Sequence, residues 1–211
     1  MVVRLVIAGA LAAALAVVIA GCGRSEEPEI RVVEPDVRTV PPPPEDFQIE
    51  PDQVAVIETD EGEIVFELLS DVAPKTVRNF VWLANEHHFY DGLTFHRVKA
   101  NEMIQGGDPV GTGRGGPGYT IEDEPNDLHN GLGAVGMAKT SEPNSAGSQF
   151  YIMLTDWDHL DGRFCVFGNV VKGLDVVREI SRVETYREHT KPMVTVYIRK
   201  IRVVDRDSLE N

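Results

Sequence analysis

One arginine and two glutamines sit among apolar residues in two runs of this chain. Arg97 and Gln105 belong to FHRVKANEMIQGGDP, residues 95–109, and Gln149 belongs to MAKTSEPNSAGSQFYI, residues 137–152. A guanidinium stays charged and presents several donors in a fixed plane. Amide side chains can orient it, and can themselves bond peptide groups. With an apolar surround, such a set suits recognition of a peptide, and specifically of a proline within it. Neither run looks like a nucleophile, a metal cluster or a phosphate cradle.

Other motifs carry less. Gly111-Thr112-Gly113-Arg114-Gly115-Gly116 spells GxGxxG. A dinucleotide fingerprint needs a strand before it and a helix after it. Here Asp108-Pro109 precedes and Pro117-Gly118 follows, so these glycines shape a loop. His87-His88 has no cysteine or acid cluster at ligand spacing, and no metal or other cofactor is expected. Ser148 lies in AGSQF, which is not a nucleophile elbow. His96 reads as a satisfied core histidine. Arg97 stands opposite it in the alternation and shares the face of Phe95. A lone strand arginine is usually a solvated ion-pair partner; it is the second motif that makes Arg97 a functional candidate.

The elements that must position these residues follow from periodicity. Residues 54–59 and 63–68 alternate as two strands around a Gly62 turn, a hairpin. Pro74 opens a helix in its first turn, and Val77, Phe80, Val81 and Ala84 form its core face. Strands are expected at 94–98, 147–154, 164–170 and 193–204. Most of 106–136 reads as glycine-rich loop. A short second helix spans 173–181, with Leu174, Val177 and Ile180 on one face. The last strand shifts phase between Ile198 and Ile201, which predicts a bulge. Many antiparallel strands with only two helices favour a closed barrel, because closure removes sticky edges. The interior of a small barrel fills with side chains, so the site belongs on the outside.

Composition divides the 211 residues into zones. Residues 1–21 are almost wholly apolar, with Arg4 the only charge, and end in Ile19-Ala20-Gly21 before Cys22. That reads as a signal peptide, and small residues before a cysteine resemble the lipobox of a bacterial lipoprotein. The resemblance implies cleavage before Cys22 and lipidation of it. Two acyl chains would hold where one barely does. Residues 22–52 contain seven of the thirteen prolines, with Pro41 to Pro44 consecutive. They read as a disordered tether reaching up to roughly 90 Å at ~3.1 Å per residue. Residues 53–206 have globular composition and 207–211 form a tail. Cys165, in RFCVF, reads as a buried small hydrophobe. The net charge of −14 without a basic stripe excludes nucleic acid as a natural partner.

Residues 54–204 resemble the cyclophilins, a family of peptidyl-prolyl cis-trans isomerases. FHRV…MIQGGDP, GTGRGGPGY, GMA…PNSAGSQF and HLDGRFCVFG stand in family order and spacing. The resemblance implies an all-β fold with two capping helices, a closed eight-stranded antiparallel barrel. It implies Arg97 as the catalytic arginine and Gln105 as the glutamine that positions it. Met103, Tyr151 and Leu160 would wall a proline pocket with Phe164 at its rim. Ala138, Thr140 and Gln149 would bind the peptide backbone and preceding residues. Glu102 takes the place of an aromatic wall of that pocket, where it would remove apolar contact and pair with Arg97. His159 replaces a tryptophan important for cyclosporin, which implies weak sensitivity to it.

The expected function is prolyl isomerisation assisting the folding of exported proteins. The expected form is a monomer held by lipid on the extracytoplasmic side of a bacterial cell envelope. The alternative is a catalytically weak proline-peptide-binding module or chaperone, motivated by Glu102.

Overall fold

The computed structural model describes residues 38–186 and 190–209. The leader, Cys22 and residues 23–37 of the expected tether lie outside the described residues. Eight strands and two α-helices follow in order: β1 (Gln53–Thr59), β2 (Glu63–Leu68), α1 (Pro74–Val81), β3 (Arg97–Lys99), β4 (Met103–Gly106), β5 (Ala134–Met137), β6 (Phe150–Met153), β7 (Val166–Lys172), α2 (Leu174–Ser181) and β8 (Ile198–Asp205). All pairings are antiparallel, in the order β3-β4-β6-β5-β7-β2-β1-β8.

That order corrects the expected closed barrel: the ladder is an open, curled sheet whose two ends are β3 and β8. Residues 92–95 meet the segment before β8 through the bridge Thr94↔Tyr197 and bonds such as Gly92 N to Ile198 O and Phe95 N to Val196 O. The chain then leaves β8 and pairs with β4 from Arg97 onward. Phe95 and Val98, three residues apart, both enter the core. Alternation therefore breaks across His96, and Arg97 does not share the face of Phe95. The bulge expected in the last strand is present: Glu58 faces Lys200 and Thr59 faces Ile198, which leaves Arg199 unpaired.

The core fills the curl. Phe80 of α1 lies 5.1–5.9 Å, ring centroid to centroid, from Tyr90, Phe66, Phe150 and Phe167. Such aromatic clusters add about 0.5–1.5 kcal/mol per pair beyond simple burial. Val77, Phe80 and Val81 of α1, with Ala84 in the π-helical turn that continues it, are buried as the periodicity predicts. Val177 and Ile180 of α2 are buried as well. Cys165 is buried, and burial pushes its thiol up to about 11, so it stays an unreactive thiol.

The described part of the expected tether, residues 38–52, is docked on the domain. The Trp82 indole donates to Pro41 O at 2.8 Å, and the Arg78 guanidinium donates to Phe47 O at 2.8 Å and to Pro44 O. Phe47 packs edge-on against Trp82 at 4.9 Å. Polyproline backbone makes no internal hydrogen bonds, so its carbonyls are free to accept from such donors. Phe47→Ala is expected to lower stability by about 1 kcal/mol and Tm by about 3 °C, read by thermal melting of a chain that retains residues 38–52. An unchanged Tm would show that the docked segment contributes nothing.

Candidate active site

The outer face of the sheet carries one row of directly opposed residues. Arg97 on β3 faces Gln105 on β4, Gln105 faces Tyr151 on β6, and Tyr151 faces Gly136 on β5. Strand pleat puts their neighbours Val98, Ile104, Ile152 and Val135 into the core. A four-strand row of this kind fixes lateral spacing without help from loops.

Arg97 Nη1 donates to Gln105 Oε1 at 3.0 Å, and Gln105 Nε2 donates to Gln149 Oε1 at 2.9 Å. Gln149 Nε2 donates in turn to Gly115 O at 2.9 Å. The three side chains expected to act together are thus joined in a single hydrogen-bonded line. Arg97 makes no ion pair among the described residues.

Beside the guanidinium is an apolar cavity of about 150 Å³. Met103, Tyr151, Met153, Trp157, Leu160 and Phe164 wall it, and Arg97 and Gln105 edge it. Ala138 and Gln149 lie toward a second cavity of about 290 Å³, which shares Gln105, Ala138 and Lys139 with the first. Thr140 lines that second cavity, its hydroxyl donating to Ser145 Oγ at 2.9 Å. All the site residues named from sequence therefore lie on one surface, apart from Cys22, which is outside the described residues.

Three features of this surface were not foreseen. Glu102 does not line the cavity or pair with Arg97; it pairs with Lys99 at 3.5 Å. Trp157 supplies an aromatic wall instead, held by the Lys99 ammonium 4.5 Å from its ring centroid and by the tilted His159 ring at 5.2 Å. Tyr151 Oη donates to Asn130 Oδ1 at 2.5 Å. Asn130 is fully buried and bonds Asp161 through both its backbone and side-chain nitrogens. Asp161 also bonds His129 at 2.7 Å, and these contacts, His129 first, hold its carboxyl down at about 2. Its hydrogen bonds therefore support the wall at Tyr151.

His96 departs from its expected reading. It is 93% buried, since 7% of it is exposed, and among the described residues no partner stands at full hydrogen-bond geometry to either ring nitrogen, the Gln149 side chain coming nearest to that role. Burial holds its imidazole below the ordinary value, against the pull of Asp108. The GxGxxG run is organised by Asp108, whose carboxylate accepts from the backbone amides of Val110, Thr112, Gly113 and Arg114. Gly111 and Gly113 have φ of 67° and 82°, the left-handed region open to glycine. The run shapes the groove, as its flanking prolines predict.

The comparisons agree with this geometry. Residues 54–203 match the family described as cyclophilin type peptidyl-prolyl cis-trans isomerase/CLD. This chain is a member of the cyclophilins. Peptidyl-prolyl cis-trans isomerase-like 1 of Neurospora crassa is 44% identical over 159 residues, covering 73% of this chain and 96% of the relative. Peptidyl-prolyl cis-trans isomerase B of Bacillus subtilis is 47% identical over 131 residues, covering 61% and 90%. A Cryptosporidium parvum cyclophilin crystallised in the presence of the dipeptide Ala-Pro superposes with a TM-score of 0.67 at 31% identity, over 72% of this chain and 98% of that one. Peptidyl-prolyl cis-trans isomerisation is the activity of this cyclophilin domain.

Trp157 and Glu102 give a paired expectation. Trp157→Ala should raise KM about ten-fold, because it removes much of the wall of a small apolar cavity. Glu102→Phe should change kcat/KM less than about two-fold, because the carboxylate is already turned to Lys99. Exchange kinetics on a prolyl peptide checks both. A large gain from Glu102→Phe would restore the idea of an impaired pocket.

Proposed function

We propose that Arg97 speeds isomerisation by stabilising the twisted X–Pro amide, and that the protein serves exported clients from a lipid anchor at Cys22. The barrier to rotation, ~18–20 kcal/mol, comes from amide resonance. Uncatalysed exchange takes tens to hundreds of seconds. As the amide twists, its nitrogen becomes pyramidal and regains a lone pair. A guanidinium placed beside the ring can donate to that lone pair while the apolar cavity clamps the ring. The planar ground state offers no such acceptor, so the interaction favours the transition state alone. No proton transfer is needed.

The observation that carries this reading is the guanidinium held by Gln105 at the edge of a cavity walled by Met103, Tyr151, Trp157, Leu160 and Phe164. Exchange spectroscopy on a blocked prolyl tetrapeptide tests it. Micromolar protein should bring interconversion from the scale of minutes to well below a second; unchanged line shapes would refute it.

The envelope location rests on residues 1–22 alone. The curated relatives named above align with the domain and lend the anchor no support. Among the described residues, no helix is long and apolar enough to cross a membrane. Mass spectrometry of the membrane fraction should find an acylated Cys22 amino terminus, and Cys22→Ala should release the protein. Recovery of wild type carrying its intact leader in the soluble fraction would overturn the anchor.

A further inference from the structure

We propose that this groove selects prolyl segments carrying a carboxylate within two or three residues of the proline, with Arg114 and Arg163 as the selecting residues. This rests on the peptide-binding reading of the same groove. Three adjoining cavities make up the surface. The proline-sized one is edged by Arg97, and the 290 Å³ cavity is lined by Arg114 and Lys139. A third, of about 560 Å³, is lined by Lys139, Arg163 and Phe164. Four cations line these cavities and no aspartate or glutamate does. In a chain with 34 acids and 20 bases, that is the reverse of the overall balance.

The cations differ in how free they are. Lys139 is held at 2.6 Å by Asp123, which lies behind the groove, so its charge is largely spent. Arg97 is bonded only to a neutral amide. Arg114 and Arg163 are exposed, and neither side chain has a hydrogen bond or ion pair among the described residues. The nearby carboxylates have other tasks. Asp108 binds loop amides, and Asp161 binds His129 and Asn130. Glu122, Asp123 and Glu124 share a small adjoining cavity with Lys139 and Arg163, but Glu122 binds Lys75, Asp123 binds Lys139, and Glu124 accepts from the backbone amides of Lys75 and Thr76. Glu142 follows Thr140 and Ser141 in the chain but lines none of the three cavities.

Magnitudes decide which field a ligand feels. The net charge of −14 is spread over the whole chain, and screening at physiological salt removes most of its influence beyond about 8 Å. Cations within the groove act at contact distance. Each exposed pair contributes up to about five-fold in affinity, and their flanking positions let one peptide meet both. Charge of this kind acts on encounter and on choice between partners.

The test compares blocked peptides that differ only in Glu, Gln or Lys at the second and third positions before proline and the first and second after it. Both binding, by chemical-shift titration, and exchange are measured in 20 mM and 500 mM NaCl. At low salt the Glu peptide should be favoured over its Lys counterpart by about five-fold or more at one or more positions, with the preference shrinking at high salt. Within the double variant Arg114→Glu, Arg163→Glu that ratio should fall to one or invert. The ratio is taken within each protein, so general damage cancels. Equal binding of Glu and Lys peptides by wild type, or a ratio untouched in the double variant, would overturn the inference. Charge-selective binding without exchange would keep it and sink the catalytic reading; exchange without selectivity would do the opposite.

Discussion

Arg97→Ala should lower kcat/KM for prolyl exchange by about 10²–10³-fold, the usual loss when one preorganised donor to the transition state is removed. The melting temperature should move by no more than about 1–2 °C, because surface positions outside the core rarely exceed ~0.5 kcal/mol. The structure gives the reason for both halves. Arg97 is half-buried, and its one side-chain bond is to the neutral Gln105. Its removal therefore strands no buried carboxylate, the event that makes lost arginines destabilising. Gln105 keeps its second bond, to Gln149. Arg97→Lys should rescue little, since an ammonium on a flexible stem lacks the guanidinium's fixed fork. Exchange spectroscopy and a thermal melt on the same samples separate the two effects. Near wild-type exchange in Arg97→Ala would refute the electrostatic mechanism and leave the apolar clamp as the agent.

The second large effect is expected at a residue with no chemistry of its own. A methyl group on Gly136 would overlap the ring carbons and hydroxyl of Tyr151, which faces it across the β5–β6 ladder. The ring lies over the glycine because nothing projects there, and this is what lets its hydroxyl reach Asn130. Gly136→Ala must displace the ring. The hydrogen bond to Asn130 is lost, and the side chain turns toward the cavity that it now walls. Overpacking of this kind costs about 1–3 kcal/mol, and a partly filled proline pocket should cost at least ten-fold in kcat/KM on the same transfer-energy scale. Tyr151→Phe alone, which keeps the ring and drops the hydroxyl, should cost only about 1 kcal/mol of stability. A Gly136→Ala variant with wild-type melting and exchange would show that β5 gives way instead.

Much of this was legible in the chain. The spacing of Arg97, Gln105 and Gln149 foretold a set of groups that the fold joins by hydrogen bonds, and the helix faces and the bulge near Ile198 followed from periodicity alone. What escaped has physical causes. Strand β5 reads Ala-Val-Gly-Met, and its glycine stands where Tyr151 needs the room; propensity sees only a weak strand there. Met103–Gly106 is a four-residue strand that follows a turn and ends in the first of two consecutive glycines, too short for alternation to show. The open seam was hidden because alternation says which face a residue takes, not which strands pair at the ends. Motif register puts Glu102 in the pocket, but a turn at Asn101, with φ of 57°, leaves its carboxylate with Lys99. Trp157 lies 54 residues beyond Met103, in a loop, and nothing local announces its direction. The proline run reads as disordered by composition, yet its carbonyls find donors in Trp82 and Arg78, far off in sequence.

That docked run also fixes where a leash would be fastened. With residues 38–52 lying on the domain, the proposed anchor at Cys22 leaves residues 23–37 as its link to the first described residue, half the number of residues expected from composition. It arrives at Arg38–Val40, where Val40 N bonds Pro117 O at 3.0 Å and Thr39 packs at Gly118. Pro117 is itself a lining residue of the 290 Å³ cavity. The chain's entry to the domain and the groove thus share one loop, so, on the proposed anchor at Cys22, a pull from a bilayer would reach the rim of the peptide channel rather than the back of the molecule.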